Sequence, residues 1–283
     1  MHKIQDEIIF PDWIKPPFRQ CQKRLDDQNA FLHLAMKGLS KITLGPEVIE
    51  YFRKYPGEGD RKRDWDSEID KAKKDAAWVE KEIIDGFPIL HSQSAVALWS
   101  ILEVLCEDLI VCWITNKGSD AWQIPQISRL KINIGEYESL PDNDKPRYIV
   151  IQLERALSTE FKTGVGRLEP LLEIIKFAPQ IGPNVRRALH ELFQVRNVIV
   201  HCGAIADRKL LSECPWVSWR LNETIKIKHS LYGWYYRATM RYYERMMNQA
   251  LIAFGNKGCE CPGMNEISER PEEIGELTSE ANK

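Results

Sequence analysis

From residue 95 to residue 114 the chain is almost wholly apolar, and the exceptions, Glu103, Glu107 and Asp108, decide what the run can become. Three carboxylates would be costly in lipid, so the segment reads as a helix inside a folded domain and not as a membrane crossing. Ala97, Ile101, Val104, Leu105, Leu109 and Cys112 recur near helical spacing, which predicts a helix over 88–116, the strongest in the chain. Glu103 and Glu107 stand one turn apart on it, so at least one is expected to be buried and to need a partner. Arg196 is the obvious counter-ion if the two helices pack together. A metal site built on the glutamate pair is the weaker reading, because no Glu-x-x-His or matching second pair accompanies it.

The same periodicity predicts helices over 18–39, 46–54, 66–85, 142–159, 167–177, 183–202 and 231–254, so the fold class is mainly α. The first is expected to end near Gly38, and the third to turn Ile69, Ala72, Ala76, Val79 and Ile83 inward. Residues 118–141 are turn-rich and read as a long excursion with little regular structure. Val217 to Leu221 and Ile225 to Lys228, joined by the polar turn Asn222-Glu223-Thr224, read as a small β-hairpin before the last helix. Three parts follow: a helical N-terminal extension (1–86) packed on the body, a helical domain (87–254), and an acidic tail (255–283) expected to be disordered.

Within the predicted helix over 183–202 lies Arg196-Asn197-Val198-Ile199-Val200-His201, followed by Cys202-Gly203. Glycine is the usual residue just past a helix end, so His201 sits in the last turn, where the negative end of the macrodipole favours a cation and suits a proton donor. Asn197, four residues earlier, shares its face. Arg196 is about 100 degrees further round, yet its planar fork is long enough to reach a phosphate over that face. These residue types meet the needs of metal-independent RNA cleavage: deprotonate the 2′-hydroxyl, hold the charge of the phosphorane, protonate the 5′-oxygen. One histidine cannot easily perform both proton transfers from one position, and a two-fold dimer facing two motifs would supply two. The competing reading is purely structural, with His201 on a loop carbonyl and Arg196 on a buried acid.

The Arg196-Asn197…His201 pattern resembles the HEPN superfamily (higher eukaryotes and prokaryotes nucleotide-binding), whose signature is Arg, four to six residues, then His; here the gap is four. Glu191 to Val195 before it and Gly203 to Asp207 after it are similar to bacterial members, and the resemblance covers roughly 90–253. It implies a HEPN-type helical bundle and a dimeric endoribonuclease with Arg196 and His201 carrying the activity; together with the chemistry above, Asn197 is expected to orient Arg196 or the phosphate and cleavage to leave 2′,3′-cyclic phosphate ends. It also implies a toxin or defence effector, with an antitoxin or regulatory protein as a further partner. The alternative that the family allows is a non-catalytic module binding RNA, nucleotide or protein. Cys202-Gly203 replaces the His-x-Tyr extension of the toxins paired with nucleotidyltransferase antitoxins, so regulation by tyrosine modification does not carry over.

On the last helix Arg237, Arg241 and Arg245 recur every four residues among tyrosines, Tyr236 included, a pattern that fits either single-stranded RNA or a solvated basic stripe over half-buried rings. Arg61-Lys62-Arg63 is a weaker basic cluster. The formal charge of -2 hides an acidic tail and a slightly basic body, so any RNA site must be a local patch. Seven cysteines, an odd number, and a start without an apolar signal core point to free thiols in the cytoplasm. Cys259-Glu260-Cys261 has the wrong spacing for a standard zinc motif, and His91, His190 and His229 lack ligand spacing, so neither metal nor cofactor is expected. Phosphate-loop, dinucleotide and nucleophile-elbow motifs are absent, which argues against those enzyme classes.

Overall fold

The computed structural model describes residues 10–58, 60, 63–157, 163–258 and 266–271. Its helices are α1 (Lys15–Ile42), α2 (Gly45–Lys54), α3 (Trp65–Ile84), α4 (Pro88–Lys117), α5 (Pro125–Ser128), α6 (Ile134–Ser139), α7 (Lys145–Leu157), α8 (Glu169–Ile174), α9 (Pro183–His201), α10 (Arg208–Glu213) and α11 (His229–Ala253). The chain is mainly α, and no sheet forms among the described residues.

α4 is the axis. Leu98, Trp99, Leu102, Leu105, Leu109 and Ile110 have almost no exposed surface, because α1, α7, α9 and α11 pack round the helix. Its start is fixed by backbone geometry: Gly86 and Phe87 adopt left-handed φ values of 79° and 55°, and Pro88 occupies the first turn, where its missing N–H costs nothing. α1 belongs to the same core through Phe18, Cys21, Leu25 and Leu32. It runs past Gly38 to Ile42, since one glycine in an exposed helix interior costs only about 1 kcal/mol. α2 buries no side chain and leans on α3, leaving Val48, Tyr51, Phe52 and Tyr55 exposed. On α3 Ile69, Ala76 and Val79 turn inward as expected, whereas Ile83 remains exposed and Glu82 is buried instead.

Three expectations about local structure beyond α3 are corrected. Residues 118–141 hold a 3-10 turn (Gly118–Gln123), α5 and α6. The helix expected over 167–177 is broken into a 3-10 turn (Gly164–Arg167) and α8, because Pro170 has no N–H to continue a helix and starts a new one. The hairpin does not form. Residues 222–225 pair instead with the chain leaving α9: Asn222 N donates to Ala206 O (2.9 Å), Ala206 N to Glu223 O (2.8 Å) and Ile225 N to Ala204 O (2.8 Å). The intended partner is engaged elsewhere, with Trp219 buried beneath the Arg270 guanidinium.

Residues 266–271 of the tail are packed rather than loose. Trp234 Nε1 donates to Ser268 O, and Arg270 forms an ion pair with the buried Glu191. Thr159, Arg61, Lys62 and the tail residues 259–265 and 272–283, with Cys259, Glu260 and Cys261 among them, fall outside the described residues. Cys21, Cys106, Cys112, Cys202 and Cys214 are free, and no described helix is long and apolar enough to cross a membrane.

Candidate active site

α9 carries the site and is anchored at both ends. At its start the amides of Asn184 and Val185 donate to the Glu266 carboxylate at 3.3 and 3.2 Å, an anion where the helix leaves unpaired N–H groups. Along its inner face Val185, Leu189, Leu192, Val195 and Val198 are buried. At its end Gly203 takes φ 60°, and Ala204 N turns back onto Val198 O at 3.1 Å. The pairing of Ala204 and Ala206 with residues 222–225 then fixes the outgoing chain. Asp207, next in line, caps α10 by accepting from Leu210 N at 2.7 Å.

These constraints build a cleft of about 290 Å³ at the end of α9. Gln194, Asn197, His201 and Cys202 line it from α9 and its cap, and Asp207 and Lys209 from the chain beyond. Gln194, Asn197 and His201 fall three and four residues apart, one stripe of the helix. His201 is exposed, Asn197 half-buried and Gln194 buried. The carboxylate of Asp207 has one oxygen on the α10 cap and the other 3.8 Å from the Cys202 thiol.

Arg196 points round the helix from this cleft, as its position predicts. Its Nη1 donates to Asn197 Oδ1 at 3.1 Å, its Nη2 lies 3.9 Å from Glu103 Oε2, and its Nε is buried without a partner. Asn197 therefore touches both Arg196 and the cleft holding His201. The α4–α9 packing expected from the sequence brings Arg196 to Glu103. Neither Glu103 nor Glu107 is buried, however: both are half-exposed along the α7 side of α4, where Arg147 bonds Glu107 at 2.9 Å and Asp108 at 2.6 Å. Partial burial pushes the Glu107 carboxyl above its ordinary range, with Arg147 opposing, and Glu154 rises through burial and the nearby Glu107.

The arginine row on α11 is not brought to the cleft. Arg241 pairs with Glu244 at 2.8 Å, Arg245 Nε donates to Gln180 O at 3.1 Å, and Arg237 is exposed. Tyr232, Tyr235, Tyr242 and Tyr243 are core rings, and Tyr236 is half-buried 6.4 Å from Tyr232. Burial raises the Tyr236 phenol, with Asp26 of α1 adding to it. His190 is structural, between Thr163 Oγ1 and Glu213 O, and His91 packs against His229. No metal-type cluster of His, Cys, Asp and Glu occurs among the described residues.

Two contributors went unread in the sequence. Gln194 was legible as the residue one further turn back on the Asn197–His201 stripe. Lys209 has no local signal, since it reaches the cleft only through the loop that Asp207 fixes. Compared with known proteins, the chain matches no family model, no curated protein and no solved structure. The resemblance to HEPN proteins therefore rests on the motif residues themselves.

Proposed function

We propose that the protein is a metal-independent, HEPN-like endoribonuclease that acts in the cytoplasm as a toxin or defence effector. The observation that carries this reading is the placement of His201, exposed at the end of α9 in a cleft it shares with Asn197, whose amide oxygen holds Arg196. His201 serves as general acid or base, Arg196 holds the phosphorane charge, and Asn197 orients Arg196 or the phosphate. The 2′-oxygen attacks phosphorus and gives up its proton, the P–O5′ bond breaks, and the leaving 5′-oxygen gains a proton. The products are a 2′,3′-cyclic phosphate and a 5′-hydroxyl. A two-fold dimer meeting at the end of α9 supplies the second histidine, and Val200, beside His201 and 49 % exposed, supports it as an apolar contact left open in one chain. RNA is the substrate, and an antitoxin or regulatory protein restrains it.

One observation favours the second reading, a non-catalytic module for RNA, nucleotide or protein binding: Arg196 engages Asn197 and faces Glu103 rather than lining the cleft. Expression of wild type and His201→Ala in a bacterial host separates the two. The nuclease arrests growth and creates new RNA 5′-hydroxyl ends only with His201 present; equal growth and no new ends move the reading to the binding module.

A further inference from the structure

We infer that the cleft beside His201 is a base-reading pocket that selects guanine or uracil, the bases that set a carbonyl beside a ring N–H. The inference rests on the ribonuclease reading of the same cleft and adds the chemistry of its substrate. Three observations carry it.

Gln194 lines the cleft with only 2 % of its surface exposed, and its Nε2 has no hydrogen-bond partner. Buried side-chain donors are almost always paired, and an unpaired one is costly unless something else completes it. The neighbouring groups on α9 do not complete it: Asn197 Oδ1 is taken by Arg196, and Val198 is apolar. The second observation is Asp207. One of its oxygens is spent on the α10 cap, while the other meets only the Cys202 thiol, a weak donor, at 3.8 Å. The lining of the cleft thus combines a buried, unpartnered neutral donor from α9 with a half-buried anionic acceptor from the chain beyond. The third is Lys209, an exposed cation on the same lining.

Uracil offers O4 and N3–H side by side, and guanine O6 and N1–H. Each gives the Gln194 amide an acceptor and the Asp207 carboxylate a donor. Uracil keeps a second carbonyl as an acceptor for a cation such as Lys209, whereas guanine brings a further amine donor to the carboxylate. Adenine and cytosine reverse the pattern. Their exocyclic amines meet the Gln194 donor, and their unprotonated ring nitrogens set a lone pair against Asp207, leaving buried polar groups opposed, which is how sites reject a near-isostere. A cleft of about 290 Å³ has room for a single nucleoside, so recognition is of one base beside the scissile phosphate.

Nucleoside 3′-monophosphates probe this without requiring turnover. Titrated by NMR or calorimetry, wild type is expected to bind 3′-GMP and 3′-UMP about tenfold more tightly than 3′-AMP and 3′-CMP. Gln194→Met keeps the shape without the donor, and Asp207→Asn keeps the α10 cap while replacing the anionic acceptor. Both are expected to bring the four nucleotides to within about threefold of one another, with melting curves confirming that each variant is folded. Equal binding of all four by wild type, or tighter binding of 3′-AMP and 3′-CMP, overturns the inference. Cleavage by wild type without regard to base also overturns it and leaves the ribonuclease reading standing. Selective binding with no cleavage upholds the base pocket and overturns the ribonuclease reading.

Discussion

Arg270 Nε stands 3.0 Å from both carboxylate oxygens of Glu191, a residue with no exposed surface. Trp216 Nε1 at 2.6 Å and Tyr235 OH at 2.8 Å complete the ring of donors round that carboxylate. A buried charge is tolerated only when paired, and removing one partner of such a pair costs about 3–5 kcal/mol. The Arg270 side chain is itself only 11 % exposed, so solvent screening does little to reduce this. Arg270→Ala is therefore expected to destabilise the fold by about that amount, read by urea unfolding. Arg270→Lys should recover only part of it, because the Nε contacts and the guanidinium stacked over Trp219 are lost.

The buried His91 confers a pH dependence. Its Nδ1 lies 2.9 Å from Gly86 O and 3.0 Å from Phe87 O and so carries the hydrogen, and its Nε2 faces His229 Nδ1 at 3.3 Å. Burial first, and His229 second, lower its pKa below the ordinary 6.5. The unfolded chain then binds a proton that the folded chain resists, so stability is full above about pH 6.5 and declines as pH falls through that value toward the lower folded one. Thermal melting between pH 7.5 and 5.5 should show this fall, and His91→Gln should flatten it. An unchanged slope in that variant assigns the effect to another group.

Two glycines are expected to respond with opposite sign. Gly164 has φ +59°, and a Cβ there would lie 3.0 Å from His190 Cα, so Gly164→Ala should cost about 1–3 kcal/mol. Gly38 is exposed within α1 with nothing inside 4 Å, so Gly38→Ala should stabilise by about 0.5–1 kcal/mol. Melting temperatures of the two variants check both.

The helical architecture was legible because it depends on local pattern: α1, α3, α9 and α11 each carry an apolar stripe, α4 is apolar nearly all round, and each has a proline, glycine or polar boundary. The pairing of Asn197 with His201 was legible for the same reason, since spacing along one helix fixes a shared face. What failed depends on contacts distant in sequence. Residues 222–225 have strand-like alternation, but periodicity does not name a partner, and Ala204 to Ala206 provide it. The tail composition is that of a solvated chain, yet Glu266 finds the start of α9 and Arg270 finds Glu191 across a gap of 79 positions. Glu103 met Arg196 at 3.9 Å yet stayed half-exposed, because its burial depends on how distant helices cover α4.

A dimer meeting at the end of α9 is tested by Val200→Glu. Val200 is 49 % exposed, so the fold should tolerate the change, whereas two facing carboxylates would oppose a two-fold contact. Light scattering is expected to give a dimer for wild type and a monomer for Val200→Glu, with cleavage lost in the monomer. A monomeric wild type that still cleaves RNA would show that one motif suffices.

Cleavage of an end-labelled RNA in the presence of chelator addresses the central claim most directly, comparing wild type with His201→Ala and Arg196→Ala. The account predicts 2′,3′-cyclic phosphate and 5′-hydroxyl ends from wild type, and losses of about a hundredfold or more in each variant. Cleavage that survives both substitutions, or that disappears with chelator, would contradict it.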